Sequence, residues 1–411
     1  MTRLAAALAA LLLGAGAAFA GADPVFSDTG PDAEAYGKSS GYPVGGRLAT
    51  QGNLVGLYSH FADAFPTRRV DRADTPTLWR RAQDELALTY RYAGADRSLA
   101  DYLDRHPATG LLVAHGDEIL YEHYRYARTD HDLFQSASMA KTITSMLFGI
   151  ALSEGKIHSI DDPAAAYIPE LVDNEYGKTP LRALLHMSSG NTFTEVYDGH
   201  DDNARLGRAL FGVDSKGPAQ SVGLFGTREN PPDTHFHYAS IETEVIGTAL
   251  SNAVGMPLAD YLRDRIWRRI GTEADANWAL DGSGHEPGFC CFNATLRDWA
   301  RLGLMLAQDG AWNGTQIVPR QWVIDATTAD PAFPHLAPRT ATPYYGYGYQ
   351  VWLFPGARRQ FGLFGIHGQV IVVDPAARLV LVHTAARVPA RDPAAVELRA
   401  LWEALVARFT S

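Results

Sequence analysis

A serine and a lysine three residues apart, Ser138 and Lys141, are the first candidates for chemistry in this chain. They begin a segment whose apolar residues recur at helical spacing up to Gly155, so both would lie on one face of a helix. A serine becomes a nucleophile when a base takes its proton, and a buried lysine with a lowered pKa is such a base. An ordinary N-cap serine beside a solvated lysine is the alternative interpretation. A second Ser-x-x-Lys match, residues 153–156, lies at the end of the helix and is interrupted by glycine, so it is not a candidate.

Strand patterns precede this helix and return near the end of the chain, with several helical patterns between them. The sequence therefore predicts a mixed α/β fold of the α+β kind. Its antiparallel sheet would be built from both chain ends and flanked by helices, with an inserted all-helical subdomain. The patterns that carry this prediction are a hairpin over 110–122, a strand over 344–353, a hairpin over 370–383 and an amphipathic helix over 394–409.

Residues 1–20 have the pattern of a secretory signal peptide, with a charged start, an apolar run and a small-residue cleavage site. This pattern predicts cleavage near Ala20 and export to the periplasm or the medium, with no membrane span in the mature chain because the run is too short. Residues 21–100 are predicted as an irregular N-terminal arm packed on the body. Residues 101–411 would form the main domain, with its helical insertion over roughly 160–330.

The net charge, the cysteines and the histidines indicate which classes of binding partner to expect. A formal net charge of -10 without a basic cluster argues against nucleic acid. The two cysteines, Cys290 and Cys291, are adjacent, and neighbouring cysteines rarely have bridging geometry, so we expect no disulfide framework. His235 and His237 are the nearest approach to a ligand pair, and we predict no metal and no cofactor. A small molecule is the expected partner, and both a monomer and a homodimer remain compatible with the sequence.

Two later motifs extend the pattern begun by Ser138-Met-Ala-Lys141. Tyr238-Ala-Ser240 follows about one hundred residues on, and a glycine-rich element precedes the last hairpin. With these motifs the chain resembles the serine β-lactamase and penicillin-binding protein superfamily over roughly residues 60–411. It is most similar to class C β-lactamase-related hydrolases and to 6-aminohexanoate-dimer hydrolases. Similarity to the second group also lies in the segments 65–69, 185–190, 293–298, 365–369 and 372–375.

The resemblance implies a mechanism. Ser138 would attack an ester or amide carbonyl and form an acyl-enzyme, while Lys141 or Tyr238 accepts the hydroxyl proton. The sequence leaves open which of the two is the base, because they would titrate as a coupled pair. The backbone N–H groups of Ser138 and Ile366 would form the oxyanion hole. The resemblance also implies that Tyr197 lies near the scissile bond, and the candidates for substrate contact are Tyr197, Ser240, Asn293 and His367.

Two departures from the family pattern bear on the substrate. Ser240 stands where the family has asparagine, and it lacks an amide's paired donor and acceptor. Residues 363–365, Leu-Phe-Gly, stand in place of the Lys-Thr-Gly triplet, although Gly362 or Gly368 could instead align with the glycine of that triplet. The replacement removes the lysine that binds the carboxylate of a penicillin. The sequence therefore predicts an exported serine hydrolase acting on small esters or linear amides. The alternatives are a β-lactamase or D-Ala-D-Ala peptidase, and a non-catalytic binding protein on the same fold.

Overall fold

The computed structural model describes residues 31–46, 49–390 and 395–410. The predicted signal peptide, residues 1–20, lies outside the described residues. The strands are β1 (Thr67–Val70), β2 (Arg80–Arg81), β3 (Thr89–Tyr92), β4 (Ala95–Ser98), β5 (Ala108–His115), β6 (Glu118–Tyr124), β7 (Phe134–Gln135), β8 (Ala276–Ala279), β9 (Phe292–Ala294), β10 (Ala311–Trp312), β11 (Thr315–Gln316), β12 (Gly346–Tyr347), β13 (Trp352–Leu353), β14 (Phe361–Gly365), β15 (Gln369–Asp374) and β16 (Leu379–Ala385). The α-helices are α1 (Pro31–Ala35), α2 (Gln51–Leu57), α3 (Leu99–Arg105), α4 (Ala140–Ser153), α5 (Leu181–Leu185), α6 (Asp202–Phe211), α7 (Pro218–Val222), α8 (Ser240–Val254), α9 (Leu258–Leu262), α10 (Leu296–Ala307), α11 (Arg320–Ala326) and α12 (Ala395–Thr410).

An eight-stranded sheet forms the centre of the described chain, in the order β12-β13-β14-β15-β16-β5-β6-β2. Its neighbouring strands are antiparallel, except that β2 runs parallel to β6. The two chain ends meet where β16 pairs with β5, in a register that places Val380 opposite Ala114. The predicted antiparallel sheet built from both ends of the chain is therefore confirmed, as are its two hairpins, β5–β6 and β15–β16.

Helices cover both faces of this sheet, and the alternation of side chains along β16 separates two cores. Val380 and Val382 pack into the core that holds α4, α8 and α10. Leu379 and Leu381 point the other way, toward α3 and α12. Gly303 lets α10 lie close to the sheet, because a methyl group at this position would come within 2.6 Å of Val380 Cγ1. Strand β16 is buried along its whole length, which explains its run of apolar residues.

The prediction of one continuous strand over residues 344–353 is wrong. Two short strands, β12 and β13, fold back on each other there, with Gly346 opposite Leu353. Gln350 makes the reversal possible, since its backbone adopts a left-handed φ of 61° and its side-chain amide donates to the carbonyls of Leu184 and Leu185. A buried amide bonded to a neighbouring helix is a tertiary contact that strand periodicity does not reveal.

A smaller sheet positions the start of α4. Its four antiparallel strands have the order β1-β8-β9-β7, so a strand from the segment before the main body pairs with strands from the middle of the chain. The stretch between the two halves of the large sheet carries α5 to α11 together with the short strands β8 to β11. Strand β7 leads directly into the turn before α4, and its pairing with β9 holds the start of that turn against the smaller sheet.

Cys290 and Cys291 are joined by a disulfide, which the sequence analysis did not predict. The backbone of Cys291 has a φ of 72°, an unusual conformation that places the adjacent thiols on the same side. A bridge between neighbours closes no loop of chain, so it is not a framework of the kind that stabilises small exported domains.

None of the described helices combines the length and the apolar character needed to cross a bilayer. In the same described ranges, His, Cys, Asp and Glu side chains form no group of three suited to a metal ion.

Candidate active site

Ser138 lies in a tight 3-10 turn, Ala137–Met139, between β7 and α4. Reciprocal hydrogen bonds fix the start of this turn: the Ser136 N–H donates to the Phe292 carbonyl at 2.7 Å, and the Phe292 N–H donates to Ser136 Oγ at 3.0 Å. Ala137 has a φ of 43°, a strained conformation for a residue with a side chain. Ser138 is half-buried while its two neighbours in the chain are buried, so the turn presents this hydroxyl.

The structure brings Lys141 into direct contact with Ser138. Lys141 Nζ lies 2.9 Å from Ser138 Oγ, and it also donates to Ser240 Oγ at 2.9 Å and to the Phe289 carbonyl at 3.3 Å. The lysine is 1% exposed. Burial lowers the pKa of Lys141 from 10.5 to about 8, against the opposing effect of two nearby glutamates. A substantial share of this amine is therefore neutral at mildly alkaline pH, which a general base for a serine hydroxyl requires.

A buried glutamate that the sequence analysis missed continues this network. Glu195 Oε2 accepts a hydrogen bond from the Ser240 N–H at 2.6 Å, and Oε1 accepts from Ser240 Oγ at 2.8 Å and from the Tyr197 hydroxyl at 2.5 Å. Because Ser240 Oγ gives its single proton to Glu195, it presents a lone pair to Lys141 Nζ. Glu195 belongs to the polar stretch 191–205, whose composition is typical of a solvated loop. No motif in the sequence distinguishes Glu195 from the other acidic residues of this stretch.

Tyr238 approaches the lysine with its aromatic ring. The ring centroid lies 5.0 Å from Lys141 Nζ, within the range of a cation–π contact. The same ring stacks on Trp352, with centroids 5.4 Å apart. Helix α8 begins at Ser240, two residues later, so one helix start positions both parts of the Tyr-x-Ser motif. The structure thus gathers Ser138 and both candidate bases in one place.

The end of β14 lies against the Ser138 turn and brings Ile366 to it. Gly365 is the point of closest approach, since a methyl group there would lie 2.5 Å from the Ser136 carbonyl oxygen and 2.8 Å from Ala137 Cβ. Among the described residues, the N–H groups of Ser138 and Ile366 have no acceptor within the protein. Both residues line the same cavity. Two N–H groups beside a nucleophile form the arrangement that stabilises an oxyanion.

The two rival glycines of this strand region contact other parts of the protein. A methyl group at Gly362 would meet the ring of Phe364, and one at Gly368 would meet Ala385 and Arg387. Gly365 is therefore the glycine through which β14 approaches the Ser138 turn.

Ser138 opens into a cavity of about 510 Å³. The cavity lies between the outer strands of the large sheet, the chain before α8, and α12. Most of its wall is aromatic or aliphatic, including Phe236, Tyr238, Trp352, Phe364, Leu398 and Trp402. Tyr197 also lines it, whereas Ser240 is buried in the lysine network behind the wall.

Two of the predicted substrate contacts lie outside this cavity. His367 Nδ1 is 2.6 Å from the Arg387 carbonyl, and its ring packs edge-on against Tyr58 with centroids 5.2 Å apart. Asn293 is 1% exposed in the smaller sheet, where its Nδ2 donates to Asn277 Oδ1 at 2.8 Å. His367 Nδ1 and Asn293 Nδ2 are hydrogen-bonded within the fold, and neither residue lies on the wall of this cavity.

Comparison with known proteins agrees with this geometry. The beta-lactamase family model matches residues 95–405. The 6-aminohexanoate-dimer hydrolase of Paenarthrobacter ureafaciens is 25% identical over 335 residues, which cover 79% of this chain and 83% of the relative. A structure described as a candidate 6-aminohexanoate-dimer hydrolase from Bacillus anthracis has a TM-score of 0.77 at 24% identity, covering 87% of this chain and 96% of that one. A penicillin-binding protein from Bacillus halodurans has a TM-score of 0.56 at 17% identity, with coverages of 72% and 96%.

The two structural likenesses show the fold, and the family match shows the ancestry. The matched stretch contains Ser138, Lys141 and Tyr238 together with the strands and helices that position them. The resemblance read from the sequence is therefore confirmed: the chain belongs to the beta-lactamase family and is a serine hydrolase of that family.

Proposed function

We propose that this protein hydrolyses esters or linear amides of small molecules through an acyl-enzyme on Ser138. The observation that carries the proposal is the 2.9 Å contact between Ser138 Oγ and the buried amine of Lys141, at the wall of a cavity of small-molecule size. The relative from Paenarthrobacter ureafaciens, named as a hydrolase of the 6-aminohexanoate dimer, supports the linear amide as one substrate bond.

In the proposed acylation, neutral Lys141 accepts the hydroxyl proton while Ser138 Oγ attacks the carbonyl carbon. The carbonyl oxygen becomes negative and accepts hydrogen bonds from the N–H groups of Ser138 and Ile366. When the tetrahedral intermediate collapses, the leaving alcohol or amine takes the proton from Lys141, directly or through the hydroxyl of Tyr238. Water then attacks the acyl ester, Lys141 accepts its proton, and Ser138 Oγ leaves with that proton.

Glu195 has a positioning role in this proposal. It holds Ser240, and Ser240 holds the amine of Lys141 at the nucleophile. The carboxylate also acts through its charge, because it favours the ammonium form and so raises the pKa of Lys141 against the effect of burial. Ser240 stands at the motif position where the family has an asparagine, and Glu195 accepts hydrogen bonds from both its N–H and its hydroxyl.

Glu195→Gln is expected to move the acidic limb of the pH profile of kcat/KM to lower pH. In the wild type this limb reports the free Lys141 and should lie near pH 8. Removing the negative charge makes the ammonium lose its proton more easily, so the variant reaches full activity at a lower pH. The measurement is kcat/KM for p-nitrophenyl acetate from about pH 6 to about pH 10. Glu229→Gln, at an exposed position, is the control, and a limb that stays in place or moves upward contradicts the role of Glu195.

Gly365→Ala is expected to lower kcat by about a hundredfold, the usual effect of losing one oxyanion-hole donor. The added methyl group meets the backbone of the nucleophile turn, so β14 must shift and carry the Ile366 N–H away. Gly207→Ala in α6 is the matched control, since nothing lies within 4 Å of its added methyl group. Near-ultraviolet circular dichroism verifies the fold of both variants. An unchanged kcat in a folded Gly365→Ala protein rules out this placement of the oxyanion hole.

Intact-mass analysis with a fluorophosphonate, followed by turnover assays, tests the proposed function. We expect a single adduct, turnover of p-nitrophenyl esters or linear anilides, and no stable adduct with benzylpenicillin. The last expectation follows from residues 363–365, which bring no cation to the nucleophile. Turnover of benzylpenicillin would favour the β-lactamase alternative, and a stable penicillin adduct would favour the D-Ala-D-Ala peptidase alternative. A protein with neither adduct nor turnover would be a binding protein on this fold.

We also propose that the protein is exported, with cleavage near Ala20. The support is the charged start, apolar run and Ala-x-Ala end of residues 1–20. Mass measurement of the protein secreted or released from the periplasm tests this, and a full-length chain retained in the cytoplasm contradicts it.

A further inference from the structure

The cavity beside Ser138 reaches much further than the reacting hydroxyl needs. Its wall runs from Ser138 across the face of β14 and β15 to Leu398 and Trp402 on α12. A reacting ester group alone would fill only a small part of about 510 Å³. The remaining space can therefore hold another part of the substrate.

The wall of this space is preformed from packed aromatic rings. Trp352 lies between Tyr238 and Phe364, with stacked centroids at 5.4 Å and 6.0 Å. Tyr345 meets Phe364 edge-on at 5.0 Å. Rings held by one another keep their places without a ligand, so a substrate group that enters the cavity loses little free energy to ordering the wall.

Two polar side chains of the cavity wall, those of Thr342 and Trp402, are hydrogen-bonded within the protein. Thr342 Oγ1 accepts a hydrogen bond from the Tyr345 N–H at 2.7 Å and donates to the Tyr345 carbonyl at 2.7 Å. Trp402 Nε1 donates to Gln360 Oε1 at 3.2 Å. A hydrated or charged substrate group would exchange its water contacts for few new ones, whereas an apolar group would leave water for an apolar wall.

Arg399 is the one charged residue on the wall of this cavity, as far as the described residues define it. Its guanidinium lies 4.1 Å from the ring centroid of Tyr344, and its Nε lies 3.9 Å from Glu403 Oε1. The cation therefore has an aromatic ring and a carboxylate as neighbours already. It is also the group that would bind a negatively charged substrate, and the test below includes that outcome.

We propose that this aromatic cavity binds a bulky, uncharged apolar group of the substrate, so that the enzyme acts on hydrophobic esters or amides. The inference rests on the proposed function and names its substrate class. The apolar group belongs either to the acyl part or to the alcohol or amine part, and the shared chemistry is an alkyl chain or an aromatic ring.

Two matched ester series test the proposal and distinguish the two sources. The acyl series runs through p-nitrophenyl esters from acetate to octanoate, and the alcohol series through acetates from ethyl to octyl. We expect kcat/KM to rise about fourfold for each added methylene in one of the series until the cavity is full, which corresponds to about 0.8 kcal/mol per buried methylene. Flat profiles in both series, with the esters still hydrolysed, overturn the proposal.

A charged analogue provides the second comparison. The p-nitrophenyl monoester of adipic acid, which carries a terminal carboxylate, should react more slowly than the uncharged hexanoate. A faster reaction of the adipate ester would assign the cavity to an anionic group held by Arg399 and would overturn the proposal.

Val370→Trp fills the cavity from the sheet, since the half-exposed Val370 lies beside Phe364 in the pairing of β14 with β15. We expect the octanoate-to-acetate ratio of kcat/KM to fall at least tenfold toward one. Val396→Trp, at an exposed position of α12 outside the cavity, is the matched control and should keep the wild-type ratio. If Val370→Trp does not fold, Leu398→Trp fills the cavity from the opposite wall with the same expected result.

Labelling by the fluorophosphonate separates failure of this inference from failure of the proposed function. A labelled wild type with flat ester profiles contradicts the apolar-group proposal alone. A wild type that is neither labelled nor active contradicts the proposed function, and with it the inference that rests on it.

Discussion

Replacement of Ser138 by alanine is expected to abolish the fluorophosphonate adduct and to lower kcat/KM for p-nitrophenyl esters by about 10⁴-fold or more. The hydroxyl forms the covalent bond to the substrate in the proposed mechanism, and no other group on the nucleophile turn can replace it. Residual activity would come from the oxyanion donors and the cavity, which the substitution leaves in place. Intact-mass spectra and steady-state kinetics on the purified variant provide both readings.

Ser145→Ala is the matched control for this experiment. Ser145 lies on α4, the helix that follows the Ser138 turn, and is fully buried with an Oγ that has no partner among the described residues. Its loss should leave labelling and kinetics as in the wild type. An adduct on the Ser138→Ala protein, or esterase activity close to that of the wild type, would contradict the assignment of the nucleophile.

Replacement of Lys141 by methionine is expected to lower kcat by about 10³-fold, within the range for loss of a general base. Methionine fills a similar volume without an amine, so Ser138 Oγ loses its hydrogen bond to Lys141 Nζ. The pH limb near pH 8 should disappear, because the group that titrates there is gone. Kinetics over the same pH range as for Glu195→Gln measure both effects.

The fold should survive this substitution. Burial holds the pKa of Lys141 at about 8, below its ordinary 10.5, so the ammonium form destabilises the folded state. The penalty is complete below the folded pKa and is relieved as the pH rises toward the unfolded pKa. At neutral pH the methionine variant should therefore have a midpoint of thermal unfolding equal to that of the wild type or above it.

Two further variants make the lysine result interpretable. Lys156→Met changes the exposed lysine of the second Ser-x-x-Lys match, beyond the glycine that ends α4, and should leave kinetics unchanged. Tyr238→Phe removes the other candidate base and should reduce kcat less than Lys141→Met. An equal or larger loss in Tyr238→Phe, with the pH limb retained in Lys141→Met, would assign the base to the tyrosine.

Local patterns in the sequence were sufficient to predict the sheet and the proximity of Ser138 to Lys141. The hairpins β5–β6 and β15–β16 and the helices α4, α8 and α12 are encoded by periodicity and turn residues within a few positions. The contact of Ser138 with Lys141 is of the same kind, because three residues of helix suffice to bring the two side chains together.

Tertiary structure decided what surrounds that pair. Glu195 reaches Ser240 across 45 residues of chain, and its role depends on a packed helix start rather than on any local motif. The sequence over 344–353 alternates as a strand would, but a left-handed turn at Gln350 interrupts it. The turn forms because the buried amide of Gln350 donates to a backbone carbonyl at the end of α5. The bridge between Cys290 and Cys291 likewise depends on an unusual backbone conformation.

The cavity beside Ser138 depends both on local sequence patterns and on tertiary packing. The sequence by itself determined the apolar residues and the secondary-structure elements that carry them, because burial of one face requires an apolar pattern at the period of the helix or strand. Whether Trp352, Phe364 and Leu398 would surround a space beside Ser138 depended on how α12 crosses the sheet. That crossing is set by side-chain packing between segments far apart in the chain, and such packing leaves no periodic signal in either segment.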